Sequence, residues 1–208
     1  MSVKLKLSNV RFHFLRVDQF RFFGDKPPEN PEKASRSLSL VAAIESPEDQ
    51  KRVMDALQAV CVEEFGTKAA AQFAAMKVDA RLCVKRGEGY PDNPELAPYL
   101  CISLGRQEKK GLPEFRGPDM AAITQAQFSA MAKNGAVGTV VISVWQQNND
   151  WPNRINAELL GIQFGGQPEL WSGGGDSASD DDFDAYQPAK ASAFDDTPAP
   201  APAGGFNI

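Results

Sequence analysis

The sequence contains little histidine or cysteine: one histidine, His13, and three cysteines, Cys61, Cys83 and Cys101. A single histidine leaves no His-rich metal site and argues against a His-dependent catalytic triad. The cysteines lie about twenty residues apart, are odd in number and form no C-x-x-C pair, so neither a disulfide framework nor a zinc site is predicted. We interpret the cysteines as buried thiols in a reducing cytosol and His13 as a polar strand residue.

Long apolar runs are also missing. No stretch approaches the roughly 18 consecutive apolar residues that indicate a transmembrane helix. The first residues, MSVKLKLSNV, alternate lysine with apolar residues where a secretory signal needs an unbroken apolar core. The sequence therefore predicts a soluble, intracellular protein with no membrane partner.

Positive charge is scarce at one end of the chain only. Residues 1–175 carry 21 basic and 20 acidic side chains, whereas residues 176–208 carry 1 and 7. From Ser172 onward, 28 of 37 residues are Ala, Asp, Gly, Ser or Pro, a composition that cannot bury enough apolar surface to fold. We therefore predict a folded domain over residues 1–171 and a disordered acidic tail over residues 172–208.

Apolar periodicity predicts the elements of the folded domain. Alternation at period two predicts a long first strand over residues 3–14. Ser46 as N-cap, Pro47 at the first helical position and a stop at Gly66 bound a helix with one apolar stripe. Further predicted elements are an exposed loop at 24–35, strands at 36–44, 80–85, 99–104, 137–146 and 155–164, and a short helix at 124–133.

Six or so strands with only local helices favour one fold class. The strands lack the β-α-β spacing of a Rossmann-like sheet, so we predict a mainly β fold with one or two helices, an OB-fold-like antiparallel barrel. Such barrels bind oligonucleotides on an open sheet face flanked by strand-end loops. The fold class therefore directs attention to rings and cations on strands and loops.

The stretch from Arg11 to Phe23 holds more aromatic residues than one buried face of a strand can use. Rings left exposed beside arginine would suit a single-stranded nucleic acid, because unpaired bases stack on rings while cations hold phosphates. The alternative is a strand with its aromatic residues in the core and its arginines on the solvated face. Both interpretations stay open for each ring.

A second basic stretch, GRQEKKGLPEFRGP at 105–118, directly follows a predicted strand. In a small barrel such a loop flanks the oligonucleotide groove, although a solvated surface loop is the alternative. A weaker group of tryptophans and arginine surrounds the QQNNDWPN turn. The predicted DNA-binding residues are Arg11, Phe12, Phe14, Arg16, Arg21, Phe22, Lys33, Arg36, Tyr99, Arg106, Lys109, Lys110, Phe115, Arg116, Trp145, Trp151 and Arg154.

The aspartates of the tail superficially resemble a two-metal carboxylate cluster. Catalytic metals need ligands held in fixed geometry, which a Gly/Ser/Ala-rich segment does not supply. The segment SGGG is not followed by the lysine and helix of a phosphate-binding loop. We therefore predict no catalytic residue, no bound metal and no cofactor, and the protein is not expected to be an enzyme.

Three segments of the sequence resemble the single-stranded DNA-binding proteins of tailed bacteriophages: LSNVRFHF, GYPDNPELAPYLCISL and INAELLGIQFGGQPELWSGGGDSASDDDFD. The resemblance covers most of residues 3–186. It implies an OB-fold-like barrel, sequence-independent binding of single-stranded DNA in phage replication or recombination, and an acidic tail that contacts partner proteins in the cytoplasm of an infected bacterium. The chain departs from this pattern at residues 197–208, which carry no acid and end GGFNI.

The acidic tail is expected to compete for the cationic groove, because a tethered segment is present there at roughly millimolar effective concentration. Single-stranded DNA should displace the tail, whereas duplex DNA should bind weakly and only when the tail is removed. A solubilising appendage is the alternative. The tail residues expected to bind replication or recombination proteins are Asp180, Asp181, Asp182, Phe183, Asp184, Phe194, Asp195, Asp196 and Phe206.

Two classes of function follow from the sequence. The leading hypothesis is a module that coats single-stranded DNA through phosphate contacts and base stacking. The alternative is a phage structural or assembly protein whose β domain and tail mediate protein contacts only. A homo-oligomer is compatible with either.

Overall fold

The structure, a computed structural model, describes residues 2–22, 34–147 and 153–171. All of them belong to one compact unit, Met1–Gly175. The predicted tail lies outside the described residues, so its predicted disorder and the predicted domain boundary stay predictions. Within the described ranges, no helix is long and apolar enough to cross a membrane.

Strand is the most frequent secondary structure in the described chain. The elements, in chain order, are β1 (Ser2–Phe22), β2 (Arg36–Ile44), α1 (Pro47–Phe65), α2 (Ala69–Val78), β3 (Val84–Arg86), β4 (Leu100–Gln107), β5 (Glu114–Arg116), α3 (Gln125–Met131), β6 (Val137–Gln147) and β7 (Arg154–Gly166).

Five strands close into a barrel. The sheet order is β3-β4-β2-β1-β6-β7-β5, and a parallel pairing of Gly105 in β4 with Glu158 in β7 joins the two sides. The long β1 makes this closure possible, because its first half pairs with β6 and its second half with β2. The resulting circuit β1-β2-β4-β7-β6 is the five-stranded arrangement of an OB fold, which confirms the predicted fold class.

The barrel interior is filled by alternate residues of each strand. Leu38, Leu40 and Ala42 of β2, for example, are buried in the main core, as period-two alternation requires. The helix α1 covers this core with Val53, Leu57 and Val60, and its N-terminus is capped by the Ser46 hydroxyl, which accepts from the Asp49 N–H at 3.3 Å. The predicted helix and its cap are therefore confirmed.

A second, smaller hydrophobic cluster lies outside the barrel, on β2 and β4. We call it the outer cluster; its buried members are Val41, Ala43, Leu96 and Cys101, and Phe14, Tyr90, Tyr99 and Trp171 pack against it. The chain between β3 and β4 covers the sheet here. One end of the barrel's outer surface is therefore buried, and the rest stays accessible.

Candidate nucleic-acid interface

One accessible part of the barrel's outer surface lies on β1, β2 and β4. The register places Arg21, Ser37 and Gln107 in one row across these strands, and Arg16, Ser39 and Gly105 in the next. We call this surface the outer face. Its floor consists of small residues that alternate with buried core positions and therefore point outward: Ser37, Ser39, Ser103 and Gly105. A floor without bulky side chains lets the backbone of a ligand approach the sheet.

Two aromatic rings border this floor. Phe14 and Tyr90 are both half-buried, and their ring centroids lie 5.9 Å apart. The Lys85 ammonium nitrogen lies 4.5 Å from the centroid of the Tyr90 ring, a cation–π contact. Burial raises the pKa of the Tyr90 hydroxyl, although its hydrogen bond with Ser103 acts in the opposite direction. Rings and cation together offer stacking surface beside a positive charge.

A β-bulge brings Phe14 to this surface. His13 pairs with Val41, and Arg16 pairs with Ser39. Between these two pairs β1 contains two residues and β2 contains one, so β1 has one extra residue, which is a β-bulge. Phe14 has a φ of 48° within this bulge. In a regular strand, the neighbours His13 and Phe14 would point to opposite faces; here their rings stack in parallel, with centroids 4.2 Å apart.

The cations of the outer face differ in how they are engaged. Arg16 and Lys85 are exposed, and neither forms an ion pair with another described residue. Arg21 pairs with Asp18 at 2.6 Å. Arg36 has the parity of the inward residues Leu38 and Leu40 and lies at the start of β2 rather than on this face. It forms two hydrogen bonds with Glu108, at 2.7 and 2.6 Å, and its guanidinium lies 6.0 Å from the Phe22 ring centroid. Arg16 and Lys85 are therefore the cations of this face that are best placed to meet phosphates.

The predicted basic loop after β4 is partly structural. Arg106 is only 17% exposed and donates to the Glu158 carboxylate at 2.7 Å and to the carbonyl oxygens of Lys110 and Gly111. Lys110 also bonds Glu158, at 2.7 Å, and lies 5.7 Å from the Trp145 ring centroid. Lys109 is exposed. Arg106 thus holds the loop in place, whereas Lys109 presents its charge to solvent.

Two of the predicted stacking rings lie in the core instead. Phe12 is fully buried and Phe115 is 5% exposed, and both contact the buried Phe128 of α3, with ring centroids 6.4 and 5.3 Å apart. Neither ring presents a face to a ligand. The reason is strand parity, since Phe12 precedes the bulge and continues the inward series of Val10. The core alternative that was left open for the first stretch holds for Phe12, whereas Phe115 was expected in a loop and lies instead in the short strand β5.

Arg11 and Tyr99 belong to a group around Trp171, beside the outer cluster. The Arg11 guanidinium lies 5.5 Å from the Trp171 ring centroid and 3.4 Å from the Glu169 carboxylate, and Tyr99 lies 5.8 Å from Trp171, centroid to centroid. Both side chains therefore contact Trp171, the last residue that the structure describes.

The remaining predicted residues lie away from the outer face or outside the described ranges. Arg116 is in β5, which pairs with β7, and it bonds Glu114 and the Met120 carbonyl. Arg154 is exposed at the start of β7. The predicted residues outside the described ranges are Lys33, Trp151, Asp180, Asp181, Asp182, Phe183, Asp184, Phe194, Asp195, Asp196 and Phe206.

Sequence reasoning missed Lys85 and Tyr90. Tyr90 lies in the part of GYPDNPELAPYLCISL that precedes the predicted strand at 99–104, and Lys85 ends a predicted strand. The signal was present in that segment, but nothing local indicates that it folds over the sheet. No group of three or more His, Cys, Asp or Glu residues suited to a metal occurs in the part of the chain that the structure describes.

No protein-family model matches the sequence, and no curated protein matches it either. Solved structures are similar in fold. The single-stranded DNA-binding protein of bacteriophage Enc34, truncated at its C-terminus, has a TM-score of 0.63 at 20% identity over 81% of this chain and 88% of its own.

The same Enc34 protein in complex with single-stranded DNA gives a TM-score of 0.62 at 19% identity, over 81% of this chain and 89% of its own. A further structure of it gives 0.60 at 21% identity, over 86% and 89%. At such identities the likeness establishes the fold. The predicted resemblance is therefore confirmed at that level: this chain has the fold of a phage single-stranded DNA-binding protein.

Proposed function

We propose that this protein binds single-stranded DNA across its outer face, with little sequence preference. The observation that carries the proposal is the composition of that face: a small-residue floor, two bordering rings and two exposed cations on adjoining elements of an OB-type barrel. OB folds bind oligonucleotides on the sheet face of their second and third barrel strands, which are β2 and β4 in this protein. The structure of the Enc34 protein in complex with single-stranded DNA supports the choice of ligand.

Each part of the outer face has a physical role in this proposal. Phosphates meet the charges of Arg16 and Lys85, and the release of counterions supplies most of the binding free energy. Bases stack on Phe14 and Tyr90, which adds about 1–3 kcal/mol per base. Stacking accepts every base, so the protein coats the strand without reading its sequence. The role is binding rather than catalysis.

Fluorescence anisotropy with oligo-dT at several salt concentrations tests the proposal. Combining Arg16→Ala with Lys85→Ala should reduce the log–log salt slope by up to about 1.4, since each lost phosphate contact is worth about 0.7. The control combines Lys68→Ala with Lys77→Ala, which removes the same charge from exposed positions outside the outer face, beside and within α2. An equal loss of slope in both double variants would contradict the proposed site.

Binding by the wild-type chain separates this proposal from an assembly protein that only contacts other proteins. Oligo-dT should quench the intrinsic tryptophan fluorescence, since Trp171 packs against the outer cluster together with Phe14 and Tyr90. No quenching and no anisotropy change at low salt would favour the assembly role.

The acidic tail forms a second part of the proposal. Residues 172–208 carry seven acids and one lysine, and we infer that they compete for the outer face and, when displaced, recruit replication or recombination proteins. Truncation after Trp171 should raise the affinity for single-stranded DNA and should raise that for duplex DNA more strongly. Unchanged affinity for both at low salt would contradict tail competition.

A further inference from the structure

His13, the only histidine, is fully buried beside the outer face. Its ring stacks on Phe14 and meets the edge of Trp171, with centroids 5.7 Å apart. The proposed DNA contacts do not use it. A buried polar ring next to a binding surface raises the question of what its two nitrogens do.

Both ring nitrogens of His13 are hydrogen-bonded. The Phe14 N–H donates to Nδ1 at 2.8 Å, and Nε2 lies 3.0 Å from Oε1 of Glu95. Because Nδ1 accepts, the proton of the neutral ring is on Nε2, which donates to the carboxylate. The hydrogen-bond pattern thus fixes the tautomer and the ring orientation. It also links β1 to the segment that carries Tyr90.

The donor to Nδ1 is the backbone N–H of Phe14, a residue whose backbone conformation is unfavourable. Phe14 occupies the left-handed region, with a φ of 48°, which is rare for a bulky side chain. Backbone outliers of this kind persist only where the surroundings hold them, and they concentrate at functional sites. His13 provides that hold, because its Nδ1 satisfies the N–H that the bulge removes from the regular β-sheet pattern.

We propose that His13 and Glu95 are positioning residues: together they hold Phe14 in its bulged conformation, so that its ring forms a stacking platform with Tyr90. This inference rests on the proposed function. Glu95 fixes Nε2, His13 fixes the Phe14 backbone, and the parallel contact of the two rings fixes the Phe14 side chain. The platform is thereby set before a base arrives.

Two substitutions separate the two hydrogen bonds of His13. In His13→Asn the side-chain oxygen takes the place of Nδ1 and still accepts from the Phe14 N–H, but the side chain no longer reaches Glu95. In His13→Gln the amide nitrogen takes the place of Nε2 and reaches Glu95, but no acceptor remains for Phe14. If the Nδ1 bond sets the platform, His13→Asn should retain more of the base-dependent affinity than His13→Gln.

The readout is the ratio of the affinity for oligo-dT to that for an abasic oligonucleotide of the same length, which retains the phosphates. Phe14→Ala should lower the ratio by about 5- to 150-fold, the value of one stacked base. His13→Gln should lower it by most of that factor, and adding His13→Gln to Phe14→Ala should lower it no further. Affinity for the abasic strand should stay within about twofold in all three variants.

Several results would overturn the inference. They are an unchanged ratio in Phe14→Ala, an additive loss in the double variant, and an equal loss on the abasic strand. If His13→Gln does not fold, as judged by its melting curve, Glu95→Ala is combined with Phe14→Ala instead. Glu95→Ala should then lower the affinity ratio on its own but should not lower it further when Phe14 is alanine. Absence of oligo-dT binding by the wild-type protein would instead refute the proposed function itself.

Discussion

Replacing Arg106 by alanine should destabilise the protein rather than remove a DNA contact. The side chain makes hydrogen bonds of 3.0, 2.7 and 2.6 Å to the Gly111 carbonyl, the Glu158 carboxylate and the Lys110 carbonyl. It thereby joins the end of β4 to the loop that follows it and to β7. Since the barrel closes between Gly105 and Glu158, this group of bonds lies at the closing pair of strands.

The expected loss can be estimated from these contacts. Hydrogen bonds to charged groups contribute about 1.5–3 kcal/mol each, but bonds made by one side chain are not additive. Arg106 and Glu158 are 17% and 13% exposed, so solvent screens the pair only in part, and Lys110 remains to balance the carboxylate. We expect a loss of about 2–4 kcal/mol, which lowers the Tm by roughly 5–15 °C for a domain of this size.

Thermal unfolding followed by circular dichroism measures this loss. Lys109→Ala, in the same loop, is the control, because Lys109 is exposed and its removal should change stability by less than about 0.5 kcal/mol. Arg106→Lys keeps the charge but cannot form the same three bonds, so its Tm should fall almost as far. An unchanged Tm together with a smaller salt slope of DNA binding would refute the structural role and return Arg106 to the interface.

Two further predictions concern packing and ionisation. A Cβ at Gly138 would lie 2.0 Å from the Gln163 carbonyl oxygen, so Gly138→Ala should lower the free energy of unfolding in urea by about 2 kcal/mol. Gly166→Ala is the control, because Gly166 has open space around it and the substitution should change stability little. Equal urea midpoints for the two variants would contradict this packing. Burial raises the pKa of Cys83 to about 12 and that of Cys101 to about 11. Unfolded thiols ionise near pH 9 while these do not, so stability should fall as pH rises from 9 through about 11, and a Tm constant over that range would exclude the effect.

Local signals in the sequence are sufficient for several elements. The strand predicted at 36–44 matches β2, and the helix bounded by Ser46 and Gly66 matches α1, because alternation and capping are properties of neighbouring residues. Helix α2 was not predicted. Its alanine-rich sequence has almost no apolar stripe to distinguish it, and it is stabilised by packing on α1.

The candidate site is harder to predict because its contacts are distant in sequence. Arg106 looked like a free cation in a basic loop, but its partner Glu158 lies 52 residues further along the chain. Phe14 and Tyr90, which are far apart in the sequence, meet only because the segment between β3 and β4 folds back over the sheet. Charge and residue type suggested a kind of ligand, whereas tertiary contacts decide which cations remain exposed to solvent.

The difference between Phe12 and Phe14 shows where pattern reasoning ends. Both rings have the same parity in the sequence, so a regular strand would bury both or expose both. The extra residue between His13 and Arg16 breaks that parity, and Phe14 joins the outer cluster while Phe12 remains in the core. A bulge depends on the register of the neighbouring strand, which no local pattern encodes. One inserted step in β1 therefore converts a core ring into a surface ring, and the bonds of His13 keep it there.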